Sequence, residues 1–257
     1  MGGGAETGRV REVHCWWLRA REEPSEAVLG VLDDADRAVV AGSGDDEQRA
    51  SAAWRIAVTK LVVGRLLDVE PNEVMLTQSC SVCGGTDHGR FRIAAASGVP
   101  TLSISAAADE NAVVVAVGID VEVGVHVASR QDLDAAHQRA CAVLTPEDVA
   151  RLNELDESER GDAALAALAQ VEAYGRARGT GCVHLDPELV VSLDPARPSV
   201  SSGTTEWYAR RIDPGPAYVA VLVGDRRPRA VRSHDATELL IDLAHRTARV
   251  DAGSATA

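Results

Sequence analysis

Aromatic side chains make up 3% of this 257-residue chain. Its core must therefore be built from Val, Leu, Ile and Ala. Lysine is almost absent: Lys60 stands alone, and the remaining positive charge is arginine. The net charge of -13 excludes a general nucleic-acid face, which needs a basic surface, though a local basic patch is compatible with it. No apolar run is long enough to cross a bilayer. The five cysteines (Cys15, Cys80, Cys83, Cys141 and Cys182) are odd in number, and no secretory leader precedes them. Such usage predicts reduced thiols in a soluble cytoplasmic protein.

What is present suffices for a large core, with 46% hydrophobic residues arranged as one large domain or two small ones. Met1 to Gly8 is Gly-rich and reads as a frayed end. Val13 to Leu18 reads as a first strand whose adjacent Trp16 and Trp17 face opposite sides, so at least one is core. Gly42 to Glu47 is a polar break before a helix from about Gln48 to Leu67. A short strand follows over Glu73 to Gln78. Thr101 to Ser105 and Ala112 to Val117 predict a hairpin around Ala106 to Asn111. Helices are expected over Asp132 to Val143, from a Thr145 cap with Pro146 at the first position, and over Ala163 to Arg178, closed at Gly179. Glu188 to Leu193 reads as a strand, and Glu206 to Ile212 with Tyr218 to Val223 as a second hairpin. The two hairpins end alike, in VVAVG and AVLVG, which points to two related halves; chance likeness between Val-rich strands is the alternative. Thr237 to Arg249 has the pattern of a closing amphipathic helix.

Three stretches carry chemistry. Gly118-Ile119-Asp120-Val121-Glu122 places two acids one residue apart, on one face if the stretch is a strand. Two like charges so close suit a hard divalent cation such as Mg2+; two solvated acids at a strand end is the alternative. Cys80-Ser-Val-Cys83, with His88 downstream, invites a zinc reading but has no evident fourth ligand. A turn whose His88-Gly89-Arg90 end serves an anion is the favoured reading there. Arg226, Arg227, Arg229 and Arg232 cluster in the tail, as a solvated turn or as a contact for an acidic partner.

The order of these segments resembles the surfactin-type 4'-phosphopantetheinyl transferases from the first strand to the final hairpin. The likeness rests on Gly89-Arg90, on Ser105 followed by the Gly118 to Glu122 strand, and on Val171-Glu172-Ala-Tyr174-Gly-Arg176-Ala-Arg-Gly179-Thr-Gly181. The segment Val143 to Leu152 also looks like the family's helix start. The resemblance implies an α+β fold, a pseudodimer of two similar sheet-plus-helix halves joined near Gly118, acting as a monomer with the site in the cleft between them. It divides the chain into residues 1–117, 118–225 and an extension over 226–257. It implies transfer of the phosphopantetheine arm of coenzyme A to a serine of an acyl or peptidyl carrier protein. Asp120, Glu122 and Glu172 would hold Mg2+, and Glu172 would be the base. Arg176 would meet the phosphates in place of a lysine, with Arg49, Arg90 and Ser105 at the nucleotide end.

The chain departs from that pattern at Ala106, where a histidine would contact a phosphate, and at Val171 and Leu168, where a lysine and a tryptophan are expected. Each lost charged hydrogen bond costs about 1.5–3 kcal/mol. Two expectations follow: a divergent transferase, or a repurposed member that binds carrier proteins or tailors a polyketide-type substrate with the retained acids.

Overall fold

A computed structural model describes residues 11–20, 23–86, 89–93, 102–109, 111–181, 184 and 186–254, with side chains up to 248. The frayed end, His88, Thr101 and Cys182 lie outside the described residues. The fold is α+β, with seven α-helices and eleven strands in two sheets among them. The first sheet contains β1 (Glu12–Arg19), β2 (Leu76–Ser79), β3 (Arg90–Ile93), β4 (Leu102–Asp109), β5 (Ala112–Ile119) and β11 (Ala230–Asp235), in the order β11-β1-β5-β4-β3-β2. The second contains β6 (Val123–Ser129), β7 (Leu189–Val191), β8 (Val200–Ser202), β9 (Thr205–Ile212) and β10 (Tyr218–Gly224), in the order β6-β10-β9-β8-β7.

Each sheet carries a 22-residue helix: α3 (Asp46–Leu67) on the first and α6 (Glu157–Arg178) on the second. The shorter helices are α1 (Glu26–Leu29) and α2 (Asp34–Ala41) before α3, and α4 (Leu133–Val143) and α5 (Pro146–Asn153) before α6. Helix α7 (Thr237–Ser254) closes the described chain.

Strand alternation explains the near-continuous apolar runs. On β5, Val113, Val115 and Val117 face α3, while Ala112, Val114 and Ala116 face the second sheet. On β10, Val219, Val221 and Val223 face α6, while Tyr218, Ala220 and Leu222 meet the first sheet. Both faces are buried, so no polar residue interrupts either strand. The two sheets are also stitched together by side chains of β4. Ser103 Oγ accepts from the Val123 amide at 3.0 Å, Ser105 Oγ from Val125 at 3.0 Å, and Asp109 Oδ2 from Ser129 at 2.6 Å. The stagger is the same 20 residues each time.

Several expectations are corrected. Strand β4 runs on through Ala106, Ala107 and Ala108 to Asp109, where a turn had been expected. The stretch Asp120 to Glu122 is a connection between sheets, not a strand: β5 ends at Ile119 and Asp120 is left-handed at φ 55°. The same-face argument for its two acids therefore does not apply. The described part of residues 226–257 adds to the first sheet. Strand β11 pairs parallel with β1, and Arg232 reaches Glu12 at 3.6 Å.

Candidate functional site at the junction of the sheets

Gly124 of β6 sets the geometry. A Cβ there would overlap the carbonyl oxygen of Ala173 and the amide nitrogen of Ala177, so only glycine lets α6 lie this close to β6. His126, on the same face of β6 as Gly124, meets α6 directly, and Glu122, just before the strand, meets it through Arg90. Towards the helix C-terminus, Arg90 pairs with Glu122 at 2.5 Å and donates to the Ala177 carbonyl at 2.5 Å. Towards the middle, His126 Nδ1 lies 3.8 Å from Glu172 Oε2. One turn further along α6, Arg176 lies 3.9 Å from Glu172 and donates to the Ala106 carbonyl at 3.0 Å. Thus Glu122, Glu172, Arg90 and Arg176 gather where the two sheets meet.

The acidic connection is pinned at its other side. The Glu122 amide donates to Asp225 Oδ1 at 2.9 Å, and the Asp225 amide donates back to the Glu122 carbonyl at 3.1 Å. Arg226 closes onto Asp225 Oδ2, and Asp225, then Glu122 and Asp120, raise its pKa. Arg226, read from sequence as part of a solvated turn, thus belongs to this acidic junction.

Arg55 of α3 completes the charge pattern, and the sequence reading missed it. Its guanidinium lies over the Phe91 ring, 5.3 Å from the centroid. Burial first, and then repulsion from Arg176, push its pKa down to about 10. No carboxylate among the described residues salt-bridges Arg55. Arg90 Nε and Arg176 Nε are buried N–H donors with no acceptor among those residues. The available signal was that Arg55 and Lys60 are the only charges in the stretch from Ala52 to Val63, which is apolar apart from Thr59; only Lys60 is answered among the described residues, by Asp33 and Asp36.

Beside Glu172 lies a cavity of about 260 Å3. Leu165, Leu168 and Val143 supply much of its apolar wall, and Glu172, His126, Arg139 and Asp109 its polar groups. Desolvation pushes His126 down to about 4, against the attraction of Glu172, so the imidazole is neutral at pH 7.

The other expected residues sit elsewhere. Ser105 is 4% exposed, and its hydroxyl serves the seam with Val125. Arg49 pairs with Asp46 in the first turn of α3, six residues or ~9 Å of helix before Arg55. Ala106 packs its methyl into the core under α3, and Val171 is buried against α6's own sheet. Carboxylate donors suit Mg2+ by chemistry. Asp120, Glu122 and Glu172 do not, however, form a group whose ligand atoms all lie within 4.8 Å of one another. Among the described residues, Cys80, Cys83 and His184 form such a group. No helix among the described residues is long and apolar enough to cross a membrane. The chain matches none of the family models searched and no curated protein.

Proposed function

We propose that the junction is the active site of a divergent 4'-phosphopantetheinyl transferase, which moves the phosphopantetheine arm of coenzyme A to a carrier-protein serine and releases 3',5'-ADP. The observation that carries this reading is the arginine set. Arg55 and Arg176 are close enough to repel, and Arg90 reaches the same helix at Ala177; among the described residues two of their buried N–H groups are unused and one guanidinium lacks a carboxylate. Buried cations of this kind call for an anion, and planar guanidinium forks match phosphate oxygens. Arg176 reaches the backbone at Ala106, so it supplies positive charge where the family's histidine is missing.

In this reading Glu172 accepts the proton of the carrier serine as its oxygen attacks the phosphorus and the bond to the 3',5'-ADP oxygen breaks. Arg176, Arg90 and Arg55 hold the phosphates and offset the charge gathering on the leaving group. Asp120, Glu122 and Glu172 would have to draw together to hold Mg2+, whose charge would then help neutralise the pyrophosphate. The cavity is at or below the small end of ligand pockets, so it takes a small organic group while the nucleotide lies outside on the arginines. The halves then act as a pseudodimer within a monomer, and the acyl or peptidyl carrier protein approaches the cleft.

The test is intact-mass analysis of apo carrier proteins incubated with coenzyme A, Mg2+ and this protein, beside Glu172→Gln. Addition of one phosphopantetheine mass, abolished in the variant, is the expected result. Arg176→Met should weaken coenzyme A binding about ten-fold or more, the cost of one charged hydrogen bond. No addition, beside a control transferase that modifies the same carriers, overturns the reading.

A second reading is favoured by the cavity itself. Glu172 and a neutral His126 face a largely apolar space, an arrangement suited to proton transfer on a small carrier-bound or free polyketide-type substrate. It predicts no coenzyme A binding at millimolar concentration and a loss of substrate turnover in His126→Asn.

A further inference from the structure

We infer that Cys80, Cys83 and His184 form a structural zinc site that staples the two halves together. The donor atoms of these three side chains all lie within 4.8 Å of one another. Bonds of ~2.0–2.3 Å in a tetrahedron place donor atoms ~3.5–3.8 Å apart, so only a small closure is needed. Two thiolates and an imidazole are the soft and borderline donors that select zinc over Mg2+ or Ca2+.

The backbone around the cysteines is shaped for thiolates. The Val82 amide donates to Cys80 Sγ at 3.4 Å, and the Gly85 amide to Cys83 Sγ at 3.4 Å. N–H donors aimed at sulfur stabilise its charged form. The turn closes through Gly84 to the Cys80 carbonyl at 3.1 Å and Cys80 to the Gly85 carbonyl at 2.8 Å. Gly84 sits at φ 71°, which a side chain would resist. This compact knuckle presents both sulfurs to one point.

The third donor comes from the other half. His184 follows the end of α6, a hundred residues on. The Ser81 amide donates to the Gly179 carbonyl at 3.1 Å, so the knuckle already rests on the helix terminus that delivers His184. The fourth tetrahedral position takes a further ligand. The staple stands seven residues before Arg90, whose contacts to Glu122 and Ala177 cross the same boundary. The zinc thus orders the segment that leads into the candidate site, without being part of its chemistry.

The test measures metal in the full chain, purified without chelator from zinc-supplemented cells. Stoichiometric zinc is expected by elemental analysis. Replacement by Co2+ should give thiolate-to-metal charge-transfer absorption and the strong visible bands of a tetrahedral centre. Cys83→Ser, at an exposed position, and His184→Ala should each reduce retained zinc at least ten-fold, while Cys141→Ser and Glu172→Gln keep it. Zinc that survives in both ligand variants, or wild-type protein without zinc and without the cobalt spectrum, overturns the proposal. A Cys80–Cys83 disulfide in the freshly purified protein does so as well. Because the readout is metal content and spectrum, its failure is independent of whether coenzyme A is turned over.

Discussion

Helices α3 and α6 are equally long and each covers one sheet, yet each buries one large polar side chain by different chemistry. Lys60 on α3 is fully buried, and its ammonium is held by Asp33 at 2.9 Å and by Asp36. Gln170 on α6 is fully buried and neutral. Its amide donates to the carbonyls of Ala166 at 3.0 Å and Ser192 at 2.7 Å, and accepts from the amides of Ser192 and Ser199. A buried charge pays a large desolvation cost and must keep its partners. A buried amide costs less and can meet all its needs from backbone. The first half is therefore fastened to its α2 region by an ion pair, and the second to its β7–β8 region by a network of neutral groups.

The largest expected effect breaks the ionic side. Lys60→Ala leaves Asp36 buried without its cation and should cost about 3–5 kcal/mol in urea unfolding. In a chain that otherwise uses arginine, Lys60→Arg should also destabilise, because the site is closed around an unbranched ammonium. On the neutral side, Gln170→Leu strands the Ser192 and Ser199 amides and should cost about 2–3 kcal/mol. If Gln170→Leu proves the costlier of the two, the ranking of charge over amide is wrong.

Acid sharpens the same contrast. His126, in the second sheet, keeps a pKa of about 4 when folded against 6.5 when unfolded. Its contribution is complete above pH 6.5 and is lost as pH falls towards 4, since the unfolded chain takes up a proton that the folded chain refuses. With 19% of the ring exposed to the cavity, that contribution is about 2 kcal/mol, and His126→Asn should flatten the stability profile in this window by that amount. In the first half, Lys60 lowers the pKa of Asp33. That stabilisation is full above pH 3.8 and disappears as pH falls through the lower folded value, so its loss comes later in an acid titration. The stacked His14 and His234, also lowered by burial, add a first-half slope below 6.5, which His234→Asn separates from that of His126.

The smallest effect lies at the helix starts. Asp45 forms a capping box with Gln48 on α3, whereas Asp156 makes no side-chain cap bond on α6. Asp45→Ala should cost about 1 kcal/mol, and Asp156→Ala a few tenths. Equal costs in the two would show that the caps do not distinguish the halves.

The long helices, strand β5 and the Tyr218 hairpin strand were legible because their apolar spacing or length leaves one reading. The seam was not. Ala106 to Ala108 have no strong strand preference, and only pairing with β5 makes them strand. Strand β11 was hidden because the arginine cluster that leads into it reads as solvated, and parallel pairing with β1 at an edge leaves Arg232 at the surface. At the site, Glu172 and Arg176 were legible as neighbours one helical turn apart. Arg55 was not, because an arginine in an apolar helix gives no hint of what it faces. Nor was His184, since only the fold brings it to Cys80 and Cys83 from a hundred residues away. The seam bond of Ser105 was not legible either, because a small hydroxyl serves a seam as readily as a ligand.

The seam also bears on timing. Ser103, Ser105 and Asp109 fix β4 on β6 at one stagger, and only Asp120 to Glu122 join β5 to β6. Hinge motion between the sheets would have to break all three bonds together. Ligand capture at this junction should therefore be a single step, with an observed association rate that rises linearly with ligand concentration and shows no plateau from a preceding opening.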